Sequence, residues 1–212
     1  IIADVPVNYG GYAPENFNSK FNGNVTLENA LMNSLNVPAV KTLHLIGLQT
    51  MIDKMKLANF QQTRKTEKSM GLSLVLGGCG VKLEELTGLF SAFGNEGKFS
   101  PLQFLRDEKQ SISVQLVSAS SAYMIAEILS QVNRPELPSF IQENTIHVPR
   151  IAWKTGTSYG RKDAWSIGYN NNYTIGVWVG NFSGKGVPEL SGANVATPLL
   201  FNLFKKKKKE NN

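Results

Sequence analysis

Apolar residues recur at helical spacing from residue 26 onwards. The preceding stretch, residues 1–25, is rich in Gly, Asn and Pro, and it predicts an extended loop. Thr26 can cap a helix. The apolar stripe of that helix, at i, i+3, i+4 and i+7, consists of Leu27, Ala30, Leu31 and Ser34. This spacing places the Ser34 hydroxyl on the inward-facing stripe. We expect the helix to end near Asn36, because a residue that precedes a proline, here Pro38, disfavours the helical conformation.

Four further helices are predicted downstream. They run from Pro38 to Leu45, with Gly47 as the stop, and over residues 50–58, 82–94 and 119–132. Ser118 can cap the last of them, and its apolar side would carry Tyr123, Met124, Ile128 and Leu129. The apolar run 73–78 ends in glycines and is interpreted as a brief strand or a tight loop. Residues 133–149 hold three prolines and predict a connector.

The last third of the chain changes to a strand pattern. Residues that are β-branched or aromatic dominate the runs 151–157, 164–169 and 173–179, and Asn170–Asn172 can join the last two as a hairpin. A closing helix is predicted near residues 194–205. Helices followed by an antiparallel meander and a closing helix predict an α+β sandwich, in which helices pack against one antiparallel sheet.

The composition adds a domain size and a local concentration of charge. The chain has 212 residues, 42% of them apolar, which is enough for one sizeable core; we expect one domain over residues 1–204. The formal net charge is +6, but Lys205–Lys209 supply five of the positive charges. Outside residues 205–210 the chain carries 17 basic and 15 acidic side chains. This near-neutrality argues against a nucleic-acid-binding face, so residues 205–212 are interpreted as a solvated lysine-rich tail.

Neither metal nor disulfide chemistry is indicated. Cys79 is the single cysteine, so it has no internal partner. His44 and His147 lack acidic or histidine neighbours at ligand spacing, and we expect no metal and no cofactor.

No apolar run approaches the roughly 20 residues that span a bilayer. The chain opens without Met or a basic leader, so we expect either an excised segment or an export signal upstream.

A Ser-x-Asn triple at the first predicted helix end is a weak candidate for chemistry. Ser34 and Asn36 place a hydroxyl and an amide close together. A triple of this kind is expected by chance about once or twice in such a chain. The two residues could therefore simply terminate the helix.

A Lys-Thr-Gly-Thr run on a predicted strand is the more specific motif. Side chains alternate along a strand, so Lys154 and Gly156 would share one face, while Thr155 and Thr157 point the other way or along the edge. Lysine supplies a cation, and glycine lets a ligand approach the backbone. Thr157 offers an N–H and a hydroxyl to an oxyanion or a carboxylate. The alternative interpretation is an edge strand with a glycine turn and a solvated lysine.

Together the two motifs follow the order found in serine-acylating penicillin-recognising enzymes, whose motifs are Ser-x-x-Lys, Ser-Asp-Asn and Lys-Thr-Gly. The chain resembles the transpeptidase domain of the bifunctional class A penicillin-binding proteins over residues 4–204, and within that family the 1C branch most. The stretches that carry the resemblance are Asp4–Pro6, Tyr12–Phe17, Ser34–Val40, Leu72–Gly80, Ser91–Phe93, Ala152–Gly160 and Asp163–Tyr169.

This resemblance implies a β-lactamase/penicillin-binding transpeptidase-like fold and a serine DD-transpeptidase activity. In the family, a serine attacks the D-Ala-D-Ala bond of a peptidoglycan stem peptide, and the amine of a neighbouring strand then takes the acyl group. The implied partners are peptidoglycan stem peptides and β-lactam antibiotics. The implied location is the periplasmic face of the bacterial inner membrane, with a membrane anchor and a glycosyltransferase domain upstream.

Residue roles follow from the resemblance by motif position. Ser34 would relay a proton to the leaving amine, and Asn36 would hydrogen-bond the substrate backbone. Lys154 would set the electrostatics of the proton network. The implied substrate-binding residues are Thr155, Gly156 and Thr157, and the N–H of Thr157 would form half of the oxyanion hole.

One departure from the family pattern is that no serine in the chain has a lysine three positions later. In the family this motif lies a few tens of residues upstream of the stretch that resembles Asp4–Pro6. The chain is therefore interpreted as N-terminally incomplete and inactive alone.

Several alternatives remain open. They are a β-lactamase or DD-carboxypeptidase of the same fold, which would need a general base to activate water, a non-catalytic module, and a nucleic-acid binder acting through the lysine tail. Asp163, Trp165 and Tyr159 flank the Lys-Thr-Gly strand, and they could either shape a cleft or serve as turn and core residues.

Overall fold

A computed structural model describes residues 1–105, 112–132 and 150–210, without the side chains of 208–210. The chain forms two compact units, residues 1–81 and 82–212. The predicted connector over 133–149, with His147, lies outside the described residues.

The first unit combines a short strand pair with helices. Strands β1 (Ile2–Asp4) and β2 (Gly23–Val25) pair antiparallel, so the prediction of an extended loop over residues 1–25 was wrong at its two ends. The helices are α1 (Leu27–Met32), α2 (Asn36–Ile46), α3 (Leu48–Leu57) and α4 (Gln61–Thr66), followed by 3₁₀ turns at Glu67–Ser69 and Leu72–Leu76. The 3₁₀ turn Leu72–Leu76 covers most of the apolar run 73–78, so of the two predicted alternatives the brief strand was wrong. Helix α4 was not predicted.

Apolar residues of α2 and α3 supply most of the core of this unit. Gly47 ends α2 with a φ of 87°, as predicted, because glycine adopts this backbone conformation without a Cβ penalty. The largest fully buried apolar side chains of the unit are Phe60, Leu43, Ile52, Val37 and Val40.

The second unit is built on the predicted meander. Strands β5 (Ala152–Thr157), β6 (Asp163–Tyr169) and β7 (Thr174–Gly180) pair antiparallel in the order β5-β6-β7. Two short strands that were not predicted, β3 (Lys98–Phe99) and β4 (Val114–Gln115), form a separate antiparallel pair. The helices are α5 (Leu83–Gly94), α6 (Ala119–Ser130) and α7 (Thr197–Glu210).

Helices cover both faces of the three-stranded sheet. On one face Trp153 and Val177 share a buried cluster with residues of α7, among them Leu200, Phe201 and Phe204. On the other face Tyr169 contacts the rings of Phe90 and Phe93 from α5. The predicted α+β class, an antiparallel sheet flanked by helices, is confirmed.

The predictions for α6 and α7 were wrong in detail. Leu129 of α6 is buried as predicted, but Tyr123 and Met124 are exposed, and the buried face includes Ala122 instead. Helix α7 continues beyond the predicted end at residue 205, so Lys205–Lys209 extend a helix. Among the described helices, none combines the length and apolar character needed to cross a membrane.

Candidate active site

Ser34 lies in a helix-ending motif and not on the inward face of a helix. The N–H of Leu35 donates to the carbonyl of Ala30 (2.9 Å), and the N–H of Ser34 donates to that of Leu31 (3.2 Å). This is the Schellman pattern, and Ser34 occupies its left-handed position with a φ of 54°. The prediction that α1 carries Ser34 on its buried stripe was therefore wrong, because α1 ends at Met32 and leaves Ser34 exposed.

Asn36 is the first residue of α2, two positions after Ser34. Its Nδ2 donates to the backbone carbonyl of Glu15 at 2.8 Å. The next residue, Val37, donates its N–H to Oδ1 of Asn16 at 3.2 Å. The start of α2 is thus tied to two consecutive residues of the loop between β1 and β2.

The buried carboxylate of Asp4 accepts hydrogen bonds from this loop. Asp4 is 0% exposed, and Asn16 Nδ2 donates to both of its oxygens, at 2.8 and 2.9 Å. Asn22 donates to Asp4 Oδ2 through its backbone N–H (2.9 Å) and its Nδ2 (2.6 Å). Burial acts to raise the pKa of Asp4, but the hydrogen bonds from Asn16 and Asn22 outweigh it and hold that pKa below its usual value.

Lys154 projects from β5, which is an edge strand of the described sheet. Its Nζ donates to the carbonyl of Thr155 at 3.1 Å, and the side chain is largely buried. Burial lowers the pKa of Lys154 to about 8, because the charged form loses hydration. Gly156 lies on the same face, exposed, with its Cα hydrogen directed towards Trp165 of β6.

The threonines of this strand face the opposite side, as predicted. Thr157 Oγ1 accepts a hydrogen bond from the N–H of Gly192 at 3.0 Å. Gly192 begins a short π-helical turn, Gly192–Ala196. A Cβ on Gly192 would lie 2.4 Å from the carbonyl oxygen of Trp165 and 2.6 Å from that of Gly156. The turn therefore packs directly on the backbone of the motif strand.

Thr197 joins this turn to the strands. Its Oγ1 donates to the carbonyl of Gly192 (2.9 Å) and lies 3.1 Å from Ser166 Oγ of β6. Both hydroxyl residues are 0% exposed. A buried chain of hydrogen bonds thus connects β6, the turn and Thr157.

The residues that flank the motif strand differ in their contacts and exposure. Asp163 opens β6, and its Oδ1 accepts from Trp178 Nε1 at 3.0 Å. Trp165 is half-buried, and its ring lies 6.4 Å from that of Trp178. Tyr159 is 98% exposed in the turn between β5 and β6.

The two predicted motifs lie in different units. Ser34 and Asn36 belong to the first unit, and Lys154–Thr157 to the second. That both motifs serve one active site, as the resemblance implies, stays a prediction. Sequence reasoning gave no role to Asp4 and Asn16, although both lie in the stretches that carried the resemblance, and Gly192 and Thr197 gave no signal. Within the described ranges, no group of three His, Cys, Asp or Glu side chains is arranged to hold a metal.

Comparison with known proteins places these motifs in a family context. The profile of the penicillin binding protein transpeptidase domain matches residues 3–195. Penicillin-binding protein 1C of Escherichia coli is 36% identical over 200 residues, covering 94% of this chain and 25% of that protein. Penicillin-binding protein 1F of Bacillus subtilis is 31% identical over 199 residues, covering 85% of this chain and 26% of that protein.

Solved structures share the fold at low sequence identity. The PonA1 protein of Mycobacterium tuberculosis in complex with penicillin V has a TM-score of 0.74 at 16% identity, covering 94% of this chain and 60% of that one. Penicillin-binding protein 1A of Haemophilus influenzae has a TM-score of 0.72 at 18% identity, covering 91% and 36%. The chain spans about a quarter of the length of the curated relatives named above.

Proposed function

Because the chain belongs to the penicillin-binding protein transpeptidase family, we propose that it supplies part of the active site of a serine DD-transpeptidase that cross-links peptidoglycan stem peptides. The observation that carries this proposal is the motif strand, where a largely buried lysine, an exposed glycine and an oriented threonine follow one another at a sheet edge.

The proposed reaction is acyl transfer in two steps. A serine from a Ser-x-x-Lys motif outside residues 1–212 attacks the carbonyl carbon of the penultimate D-alanine, and the C–N bond to the terminal D-alanine breaks. The leaving amine takes up a proton, and an acyl ester with the serine remains. The amine of a second stem peptide then attacks this ester, forms the cross-link and releases the serine.

Thr157 is proposed to bind the substrate's terminal carboxylate. A hydroxyl has one proton to donate, and the N–H of Gly192 occupies an acceptor site of this oxygen. The hydroxyl proton would be donated to an anion at the sheet edge, and Thr155 of the same strand would contribute to this site. Gly156 lets the substrate approach, and the Thr157 N–H would stabilise the developing oxyanion.

Lys154 and Ser34 are proposed to assist proton transfer during the reaction. With a pKa near 8, Lys154 is mostly charged at neutral pH, and its charge is incompletely screened because the side chain is largely buried. This charge would stabilise anionic states of the serines that take part in the reaction. Ser34 is exposed at the end of α1, and its hydroxyl would pass the proton to the leaving amine. The Asn36 amide would hydrogen-bond the substrate backbone.

β-Lactams are proposed as inhibitors that acylate the same serine. The similar Mycobacterium tuberculosis protein was solved in complex with penicillin V, which supports this extension. We also propose a periplasmic location at the inner membrane and a glycosyltransferase domain in the full-length protein, as in the bifunctional class A branch. The boundary between the transpeptidase part, residues 1–204, and the lysine-rich segment 205–212 is proposed on the same basis.

The test is acylation of the full-length protein by a fluorescent penicillin. We expect Lys154→Ala to slow labelling by about 100-fold or more, since a positioned proton-transfer group contributes on that order. Lys98→Ala, at an exposed lysine of β3, is the matched control and should label at the wild-type rate. Unchanged labelling of Lys154→Ala would contradict the assignment of this strand. Rapid release of the bound penicillin would instead favour a hydrolase of the same fold.

A further inference from the structure

We propose that Asn16 is a positioning residue for Ser34 and Asn36, acting as a helix cap that the β1–β2 loop supplies to α2. This inference rests on the proposed function, because it concerns the same Ser-x-Asn motif. Asn16 would not act on the reacting atoms itself but through the backbone at the start of α2.

Helix α2 begins without a cap of its own. The first N–H groups of any helix lack partners within the helix, and a side chain at the capping position usually accepts from one of them. Leu35 occupies that position and has no side-chain acceptor. Oδ1 of Asn16 accepts from Val37 instead, and Val37 is completely buried. The cap therefore comes from 21 residues upstream.

The loop holds the motif at two adjacent points. Besides the bond from Val37 to Asn16, the side chain of Asn36 donates to the carbonyl of Glu15 at 2.8 Å. Residues 15 and 16 thus bind residues 36 and 37 in register. Ser34 precedes Asn36 by two residues. Its position relative to the Asn36 side chain therefore depends on the same two hydrogen bonds.

The Asn16 amide is fixed in one orientation. One N–H of Nδ2 donates to the oxygens of Asp4, and the other donates to the carbonyl of Lys20 at 2.8 Å. Rotating the amide by half a turn would set its oxygen against the buried Asp4 carboxylate and break these bonds. Asn16 is itself only 4% exposed, so water cannot readily replace them. Oδ1 is therefore held towards α2.

Asn22 provides a built-in comparison. It donates two hydrogen bonds to the same Asp4 oxygen, but these bonds do not extend to α2. Loss of either asparagine side chain removes a donor from the buried carboxylate. Only loss of Asn16 also removes the acceptor for Val37. The two alanine variants thus separate support of Asp4 from positioning of the motif.

The experiment compares Asn16→Ala with Asn22→Ala in the full-length protein. We expect Asn16→Ala to lower the acylation rate constant for a fluorescent penicillin by about 30-fold or more, since displacements of about 1 Å cost up to roughly 100-fold. Asn22→Ala removes one donor to Asp4 and no bond to α2, and it should lower the rate constant by less than about threefold. Hydrogen exchange of the peptide that contains Val37 should accelerate in Asn16→Ala alone.

A polarity swap tests the same bond directly. Asn16→Asp alone places a second carboxylate against that of Asp4. The double variant Asp4→Asn with Asn16→Asp restores one donor–acceptor pair between the two side chains. It also keeps an oxygen that can accept from the N–H of Val37. We expect the double variant to label faster than Asn16→Asp. Equal labelling of the two alanine variants, or a double variant no better than Asn16→Asp, would overturn the proposal.

The swap and the alanine variants also separate this inference from the proposed function. If the wild type itself does not label, the proposed function fails. The cap is then judged by exchange at Val37, where equal rates in both alanine variants would reject it and faster exchange in Asn16→Ala alone would support it.

Discussion

Lys154 carries a charge although burial of its side chain disfavours the charged form. Desolvation lowers its pKa to about 8, against 10.5 for an exposed lysine. Below pH 8 both the folded and the unfolded chain carry the proton, so the folded state bears the full cost of the buried charge. Between pH 8 and 10.5 only the unfolded chain still binds the proton. The free energy of unfolding that depends on this residue therefore rises with pH across that window.

A Lys154→Met variant should remove this dependence. At pH 7 we expect the variant to be more stable than the wild type by up to ~3 kcal/mol, the equivalent of the pKa difference. The advantage should shrink as pH rises from 8 to 10.5. Urea unfolding of both chains at several pH values measures it. The raised pKa of Tyr169, about 12, destabilises both proteins above pH 10 and cancels in the difference. A constant difference across the window would contradict the buried charge.

Hydrogen-bond capping made some elements predictable and concealed others. Thr26 and Ser118 accept from the N–H groups of Asn29 and Ser121 at 3.1 Å, as their sequence positions indicated. The end of α1 was missed because its left-handed residue is Ser34, where glycine is the usual signal. The start of α2 was placed two residues late, because its cap comes from a distant loop. Local propensity cannot report such a contact.

The π-helical turn at Gly192 makes a prediction at the scale of one element. Gly192→Ala would press a methyl group onto the backbone of β5 and β6, at an expected cost of about 1–3 kcal/mol from overpacking. We also expect slower penicillin labelling of the full-length protein, because Thr157 would shift. Gly71→Ala is the control, since a Cβ there meets no atom within 4 Å. Wild-type labelling of Gly192→Ala would show that the turn does not position the strand.

At the scale of the whole molecule, sequence patterns identified the family. They did not identify the buried hydrogen bonds that support its motifs. The meander and both motifs were found because strand alternation and the Lys-Thr-Gly run are local. The buried pair of Asp4 and Asn16 was not found, because it depends on a fold that brings residues 4, 16 and 37 together. Residues distant in sequence give no periodic signal when they serve a single hydrogen-bond network.

The isolated chain should not be acylated by penicillin. None of its serines is followed by a lysine at the third position, so none has the activating partner of the family's nucleophile. We expect no covalent fluorescent product from residues 1–212, under conditions in which the full-length protein labels. Mass spectrometry of tryptic peptides gives the answer. Acylation at any serine of the chain, Ser34 included, would show that the nucleophile has been assigned to the wrong place.

Selection for stability and selection for activity should pull position 34 in opposite directions. A left-handed backbone suits glycine, and a serine there costs the folded chain about 1 kcal/mol. Glycine would relieve that cost but would delete the only hydroxyl at this turn. A screen for thermostable variants would thus enrich Ser34→Gly, and cells that need cross-linked walls would discard it.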